Sequence, residues 1–426
     1  MEFYKETEFR DTDIGRIPKD WQVLKIDDIT ECVTKGTTPT TLGFSYVPSG
    51  INFIKIESID ENGHYLEERF GHIDEKANEA LNRSVLEEND ILFSIAGALG
   101  RVALVNKEIL PANTNQALAI IRLKNKSRAI YSKYFLNSET IQNYIKTIAV
   151  QSAQANLTLA HVRNFIIAWP ESEEQNKICQ ILKRIDSLIQ QTDSIIRKTQ
   201  ELKKGLMQEL LAKGIGHTEF MDTEHGKIPK TWKIQLVSDI CEKPEYGFTQ
   251  SATDEAIGPK FLRITDIQEG KVKWDDVPYC DCPNELVKKY KLKKGDILFA
   301  RTGATTGKSY TIGECPEAVF ASYLIRIRTK DDVIPEYLFY FFNSIYYWEQ
   351  IRKKMGGSAQ GGINASLLSK IKVHFPSKDE QQKIISILAH VDEQIDREKI
   401  TKEKIESLKK GLMQTLLTGQ VRIKVN

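Results

Sequence analysis

The chain is written twice, and that repeat limits what it can fold into more than any other feature does. "TEFRDTDIGRIPKDW" (7–21) returns as "TEFMDTEHGKIPKTW" (218–232), with ten of fifteen positions identical. "FIKIESI" (53–59) returns as "FLRITDI" (261–267), and "NDILFSIAGALGR" (89–101) as "GDILFARTGATTGK" (295–308). "QSAQANLTLAHVRNFIIAWP" (151–170) matches "GSAQGGINASLLSKIKVHFP" (357–376), and "EEQNKICQILKRID" (173–186) matches "DEQQKIISILAHVD" (379–392). "KKGLMQ" occurs at 203 and again at 409, an offset of 206 residues that holds for most of the chain beyond residue 89. Two copies make a tandem and not a solenoid. At 426 residues the chain is also too long for one ordinary core.

Each copy runs in the same order. Short apolar runs such as "INFIKI", "DILFSI" and "ALAIIRL" are punctuated by Gly, Asn and Pro and read as strands. A few helical segments lie between, among them "PEYLFYFFNSIYYWEQIRKKM". Pro170 and Pro376 then close the sheet-rich part, and a long helical pattern begins. In the first copy Ile178, Ile181, Ile185, Leu188, Thr192, Ile195, Thr199, Leu202 and Leu206 alternate spacings of three and four, a heptad stripe. In the second, Ile384, Ile387, Val391, Ile405, Leu408 and Leu412 do the same around a polar middle, "DREKITKEK". Glu173 and Glu174 suit the positive end of the helix dipole, and Gly214 and Gly216 mark its stop. A helix of about 38 residues runs roughly 57 Å, longer than the domain it would cover. A narrow apolar stripe of that length needs a partner helix, and the other copy supplies one, antiparallel about a pseudo-two-fold axis. The expected fold is α+β: sheet-rich domains at 1–170 and 218–376, separated by paired coiled-coil helices at 171–217 and 377–426.

"GATTGKS" (303–309) invites comparison with a phosphate-binding loop. The pattern GxxxxGK[ST] requires glycine at position 302, which is Thr302, and a helix after Ser309, where "YTIGE" reads as a strand. The first copy has "SIAGALGRVALV" there, without the lysine–serine pair, so the loop is expected to be a turn between strands. No Pro-Pro or Pro-Asp dipeptide is present, which removes the amino-methyltransferase and nuclease signatures that need them, and HExxH and GxSxG are missing too. Seven scattered histidines, His161 among them, suggest no catalytic set. Cys32, Cys179, Cys241, Cys280, Cys282 and Cys315 form no CxxC pair, which fits free thiols in a reducing cytoplasm; no metal or cofactor is expected. "MEFYKETEFRDTD" carries no apolar signal region and no run reaches a membrane span.

Net charge is only +2, so nucleic-acid binding has to be sought in local clusters. Lys288, Lys289, Lys291, Lys293 and Lys294 crowd one segment and are candidate phosphate contacts; Arg122, Lys124, Lys126 and Arg128, and Arg326, Arg328 and Lys330, form smaller groups.

The tandem with "IPKDW"/"IPKTW", "NDILF"/"GDILF", the two "EEQ"/"DEQ" helix starts and the "KKGLMQ" pair resembles the specificity subunit of Type I restriction–modification systems over essentially its whole length. The resemblance implies two target recognition domains, each reading half of a bipartite double-stranded DNA sequence. It implies helices that act as a ruler and dock two methyltransferase subunits, which carry the cofactor and the adenine chemistry. Motor-nuclease subunits that cleave unmethylated DNA can join them. It implies no catalytic residue in this chain. A stand-alone DNA-binding regulator is the alternative, and a glycine-loop nucleotide enzyme a more distant one.

Domains alike in fold and different in target should agree where the frame is held and differ where bases are read. Trp21 and Trp232, and Phe93 and Phe299, are therefore assigned to the core. The side chains able to bond two groups on a base edge give the candidate readers. In the first domain these are Lys55, Arg101, Asn115, Gln116 and Gln154; in the second, Arg263, Arg301, Thr302, Lys308, Ser322 and Gln360.

Overall fold

The computed structural model describes residues 2–424 apart from 152–155, 225, 269 and 356–361. It contains two compact units: unit 1 is Met1–Asp193 with Ile400–Asn426, and unit 2 is Ser194–Lys399.

In unit 1 a four-stranded antiparallel sheet has the order Thr30–Lys35, Leu118–Leu123, Ile91–Ser94, Val102–Leu104. Unit 2 repeats it with Glu245–Tyr246, Leu324–Ile327, Ile297–Ala300 and Ser309–Thr311. One of the two central strands of each carries the "DILF" run, whose Ile-Leu-Phe is apolar because both faces are covered. Phe93, Ala119 and Ile121 enter one core while Leu92, Leu118 and Ile120 enter another. In unit 2 Phe299, Ile325 and Ile327 part from Leu298 and Leu324 in the same way. A parallel ladder flanks each sheet, Ile51–Ile54 with Ala112–Thr114 and Lys260–Leu262 with Ala318–Phe320. Trp21, Trp232, Phe93 and Phe299 are all buried, as the repeat indicated.

The central helix is Ser172–Lys213 and the C-terminal helix Lys378–Leu416. Gly214 and Gly216, both with positive φ, end the central one. Each unit takes half of each helix into its main core. Ile178 and Leu182 join Met413 and Leu416 in unit 1, and Met207 and Leu211 join Ile384 and Leu388 in unit 2. The pairing is antiparallel: Asp186 bridges Lys409 at 2.7 Å, and seven residues on, Asp193 bridges Lys402, seven residues back. Asp186 also accepts the Tyr134 hydroxyl proton, and Asp392 of unit 2, bridged to Lys203 at 2.5 Å, accepts that of Tyr340.

The heptad stripe needs correction in one of its two rows. Ile178, Ile185, Thr192, Thr199, Ile384 and Val391 are buried, and Leu206, Ile405 and Leu412 partly so. Ile181 is only half-buried, and Leu188, Ile195 and Leu202 are 45%, 42% and 57% exposed, with Ile387 and Leu408 exposed as well. The second buried row is Leu182 and Ile189 in unit 1, Leu388 and Ile395 in unit 2. The cause is a set of apolar doublets, Ile181–Leu182, Leu188–Ile189 and Ile195–Ile196. Neighbours on a helix point about 100° apart, so Ile189 is buried and Leu188 left outside, Leu182 is fully buried while Ile181 is only half-buried, and Ile196 is half-buried beside an exposed Ile195.

The first and last strands of unit 1 meet. Phe3–Lys5 pairs antiparallel with Val421–Ile423, Phe3 opposite Ile423. Among the described residues no helix is long and apolar enough to cross a membrane.

Candidate nucleic-acid interface

At one end of each sheet, loops from separate parts of the sequence are tied together at corresponding positions. In unit 1 the chain leaves strand Thr30–Lys35 through Gly36, whose N–H donates to the Asn115 carbonyl at 3.2 Å. A Cβ on Gly36 would lie 1.7 Å from the Thr114 carbonyl oxygen, so only glycine lets the two loops touch. Thr38 then donates its hydroxyl to Oε1 of Gln116 at 2.6 Å. In unit 2 Gly247 makes the equivalent approach, its absent Cβ 2.2 Å from the Phe320 carbonyl oxygen, and Thr249 donates to Ser322 at 3.0 Å. The loop after the "DILF" strand is clamped on both sides. Ile95 donates to Ala117 and accepts from Leu157; Arg301 donates to Tyr323 and accepts from Ile363.

This frame brings several candidate readers together and turns others away from solvent. Gln116 is exposed beside Thr38, and Ser322 is half-buried beside Thr249. Arg301, Thr302 and Lys308 are exposed on the unit 2 loop. Asn115 folds back, its Oδ1 accepting from the Ala117 N–H at 3.1 Å. Lys55 is half-buried, 3.2 Å from Glu57 and 5.2 Å above the ring of Tyr46. The guanidinium of Arg101 is spent on main chain, with Nη1 2.6 Å from the Ile59 carbonyl and 3.5 Å from that of Ile56. Arg263 has its fork occupied by Asp266, at 3.0 Å from Nε and 2.7 Å from Nη2. Gln154 and Gln360 lie outside the described residues.

The basic clusters divide similarly. Lys288, Lys289, Lys291, Lys293 and Lys294 are all exposed, at and beyond the end of helix Asn284–Tyr290. Lys291 is 3.0 Å from Glu317 and Lys294 2.8 Å from Glu314; the latter pair lowers the Glu314 pKa and raises that of Lys294. Arg122 and Arg328 are matching structural residues, each forked onto the aspartate that opens the "DILF" strand, Asp90 or Asp296. Arg326 is 2% exposed and held by Glu245 and the Lys289 and Lys291 carbonyls. Alternating cations on a strand announced a charged face, but here they hold loops to the sheet.

The glycine loop is a hairpin turn. Gly307 donates to the Ala300 carbonyl, Ala300 to that of Lys308, and strand Ser309–Thr311 follows directly. The helix N-terminus that a phosphate loop needs is missing, so the nucleotide-enzyme alternative loses its site. Burial pushes the Cys241 and Cys280 thiols up to about 12, which keeps them protonated at neutral pH.

Sequence reasoning missed Thr38, Thr249, Tyr46 and Tyr246. The signal was "KGTT" against "YGFT": in each copy a threonine stands two residues past the glycine. It was hidden because the surrounding residues differ and the offset here is 211, not the 206 that holds over most of the later chain.

A family model for the Type I restriction modification DNA specificity domain matches residues 18–203 and again 229–407. The Type I restriction enzyme MjaVIII specificity subunit of Methanocaldococcus jannaschii is 27% identical over 100% of this chain and 98% of its own length. The EcoKI specificity subunit of Escherichia coli is 20% identical over 87% of this chain and 82% of its own. A solved chain from a study of complex assembly and conformational transition in the type I R-M system shares the fold at TM-score 0.61 and 16% identity, covering 95% of this chain and 99% of that one. The S subunit of the Type I system from M. genitalium does so at TM-score 0.53 and 15% identity, covering 93% and 96%. Two copies of one frame, each with a clamped loop cluster, define a tandem DNA-recognition protein. The chain belongs to the Type I restriction–modification DNA specificity family, as a specificity subunit.

Proposed function

We propose that this chain reads a gapped, asymmetric double-stranded DNA target in the cytoplasm, one half with each recognition domain, and leaves all chemistry to its partners. The recognition domains are 1–170 and 218–376; the helical segments 171–217 and 377–426 set their spacing. The observation that carries the reading is the shared loop frame with exchanged side chains: Gln116 against Ser322 and Ile95 against Arg301, on the same hydrogen bonds. Such a frame holds geometry constant and varies the groups offered to base edges. The exposed lysines at 288, 289 and 293 are suited to phosphate, which positions a duplex without reading it.

Two methyltransferase subunits dock, one on each unit. Support comes from the apolar side chains left on the outer faces of the two helices. Unit 1 leaves Leu188, Ile400 and Leu408 exposed, and unit 2 leaves Ile195, Leu202 and Ile387. Apolar side chains repeated along a helix face suit a second helix. Motor-nuclease subunits can join that complex.

The test is to replace residues 22–170 by the matching domain of a relative and to map methylated adenines in the host genome. One half of the methylated motif changes and the other stays. A change in both halves would overturn the modular reading.

A further inference from the structure

In the loop cluster of unit 2 one arginine differs from all the others. Both backbone groups of Arg301 are fixed, by Tyr323 at 2.9 Å and Ile363 at 3.0 Å. Its side chain is exposed and lies over the ring of Tyr246, with Cζ 5.1 Å from the centroid. The ring is itself held, because the Tyr246 hydroxyl accepts the Ala365 N–H at 3.0 Å. Among the described residues Arg301 has no carboxylate partner, and none accepts a hydrogen bond from its guanidinium. Arg263, Arg326 and Arg328, by contrast, are each bound to a carboxylate. Unit 1 fills the same backbone slot with Ile95, which is buried. The frame thus keeps the position and changes its chemistry from an aliphatic side chain to a free guanidinium.

We propose that Arg301 determines specificity by reading a guanine in the major groove of the half-site recognised by the second domain, with Tyr246 as its positioning residue. A guanidinium fork matches the N7 and O6 acceptors that guanine alone presents there. Stacking on a fixed aromatic ring restricts the side chain before DNA arrives, which lowers the ordering cost of binding. Unit 1 has Ile95 in that slot, so the two half-sites differ at this position. The inference rests on the DNA-reading function proposed above.

The experiment compares the methylated motif of cells carrying the whole complex with that of cells in which the subunit bears Arg301→Ala or Arg301→Gln. In the second half-site one guanine position becomes degenerate with Arg301→Ala, discrimination there falling on the order of tenfold to a hundredfold. With Arg301→Gln it shifts toward adenine, whose N6 and N7 a glutamine can bond. The first half-site is unchanged. Tyr246→Ala weakens the preference for guanine without changing the preferred base, and Tyr246→Phe, which keeps the ring, recovers part of it. If a variant methylates nothing, the assembled complex is tested against duplexes bearing each base pair at every position of that half-site, and a loss of guanine preference at one position supports the proposal. An unchanged motif, or an unchanged preference in the duplex series, overturns it. If residues 22–170 swap one half-site cleanly while Arg301→Ala changes nothing, this inference fails and the modular reading stands. If the swap also fails, the modular reading itself is lost.

Discussion

Glu174 lies in the first turn of the central helix, where a carboxylate is expected for the helix dipole alone. It is instead a buried hub, accepting Trp21 Nε1 at 3.1 Å and two bonds from Arg422, at 3.0 and 2.8 Å. Glu380 repeats the arrangement in unit 2 with Trp232 at 2.9 Å, but there the second partner is His217 at 2.8 Å. Arg422 reaches on to Glu6, whose other oxygen accepts the N–H groups of Thr7 and Glu8. The Glu8 N–H and the Arg422 guanidinium hold the Glu6 carboxyl down to about 2, against an ordinary value of 4.5. A carboxylate depressed in the folded state adds stability that is present above its unfolded value and is lost as pH falls through the folded one. Glu6→Gln therefore lowers the melting temperature at pH 7, and the difference from the parent protein shrinks between about pH 4.5 and pH 2. A difference independent of pH across that window would place its origin elsewhere. At this scale the sequence was partly legible. Two tryptophans in a repeated "IPKxW" had to be structural, but which charge each indole met depended on folding partners far along the chain. Arg101 and Arg263 could not be told from Arg301 before their acceptors were known.

The two long helices were legible as elements, in extent and in pairing, because a periodicity sustained over many turns averages out local ambiguity. The phase of one row was not, since each apolar doublet satisfies either phase until a core selects one member. This yields a contrast between the buried row and the outward one. Leu182→Ala, in the buried row, costs about 2–5 kcal/mol of unfolding free energy. Leu202→Glu, on an exposed position, leaves stability within about 0.5 kcal/mol yet reduces recovery of the methyltransferase subunit on co-purification. Denaturant titration and size-exclusion of the co-expressed complex separate the two effects. If Leu202→Glu retains full assembly, the outward row is not where the partner sits.

For the whole molecule, the repeat was readable because each copy acts as an internal control on the other, and shared residues mark the frame. The base-reading positions were harder, since divergence between copies is needed for reading and is also tolerated wherever nothing is read. The proposed ruler is testable at this scale. Inserting one heptad between Thr192 and Thr199, both buried, keeps the helical phase and lengthens the helix by about 10 Å. That distance is roughly three base pairs at about 3.4 Å each. The methylated motif should keep both half-sites while its nonspecific gap grows by up to about three base pairs, less where the unextended partner helix resists. An active variant with an unchanged gap would show that these helices do not set the distance.

The pairing of the first and last strands has a consequence for synthesis. Unit 2 is one continuous stretch, 194–399, whereas unit 1 is assembled from both ends of the chain. A ribosome moving from the N-terminus releases everything unit 2 needs before it has made Val421–Ile423, the strand that pairs with Phe3–Lys5. Unit 1, begun before unit 2, is thus completed after it, and its earlier-made segment must stay unaggregated while its neighbour folds.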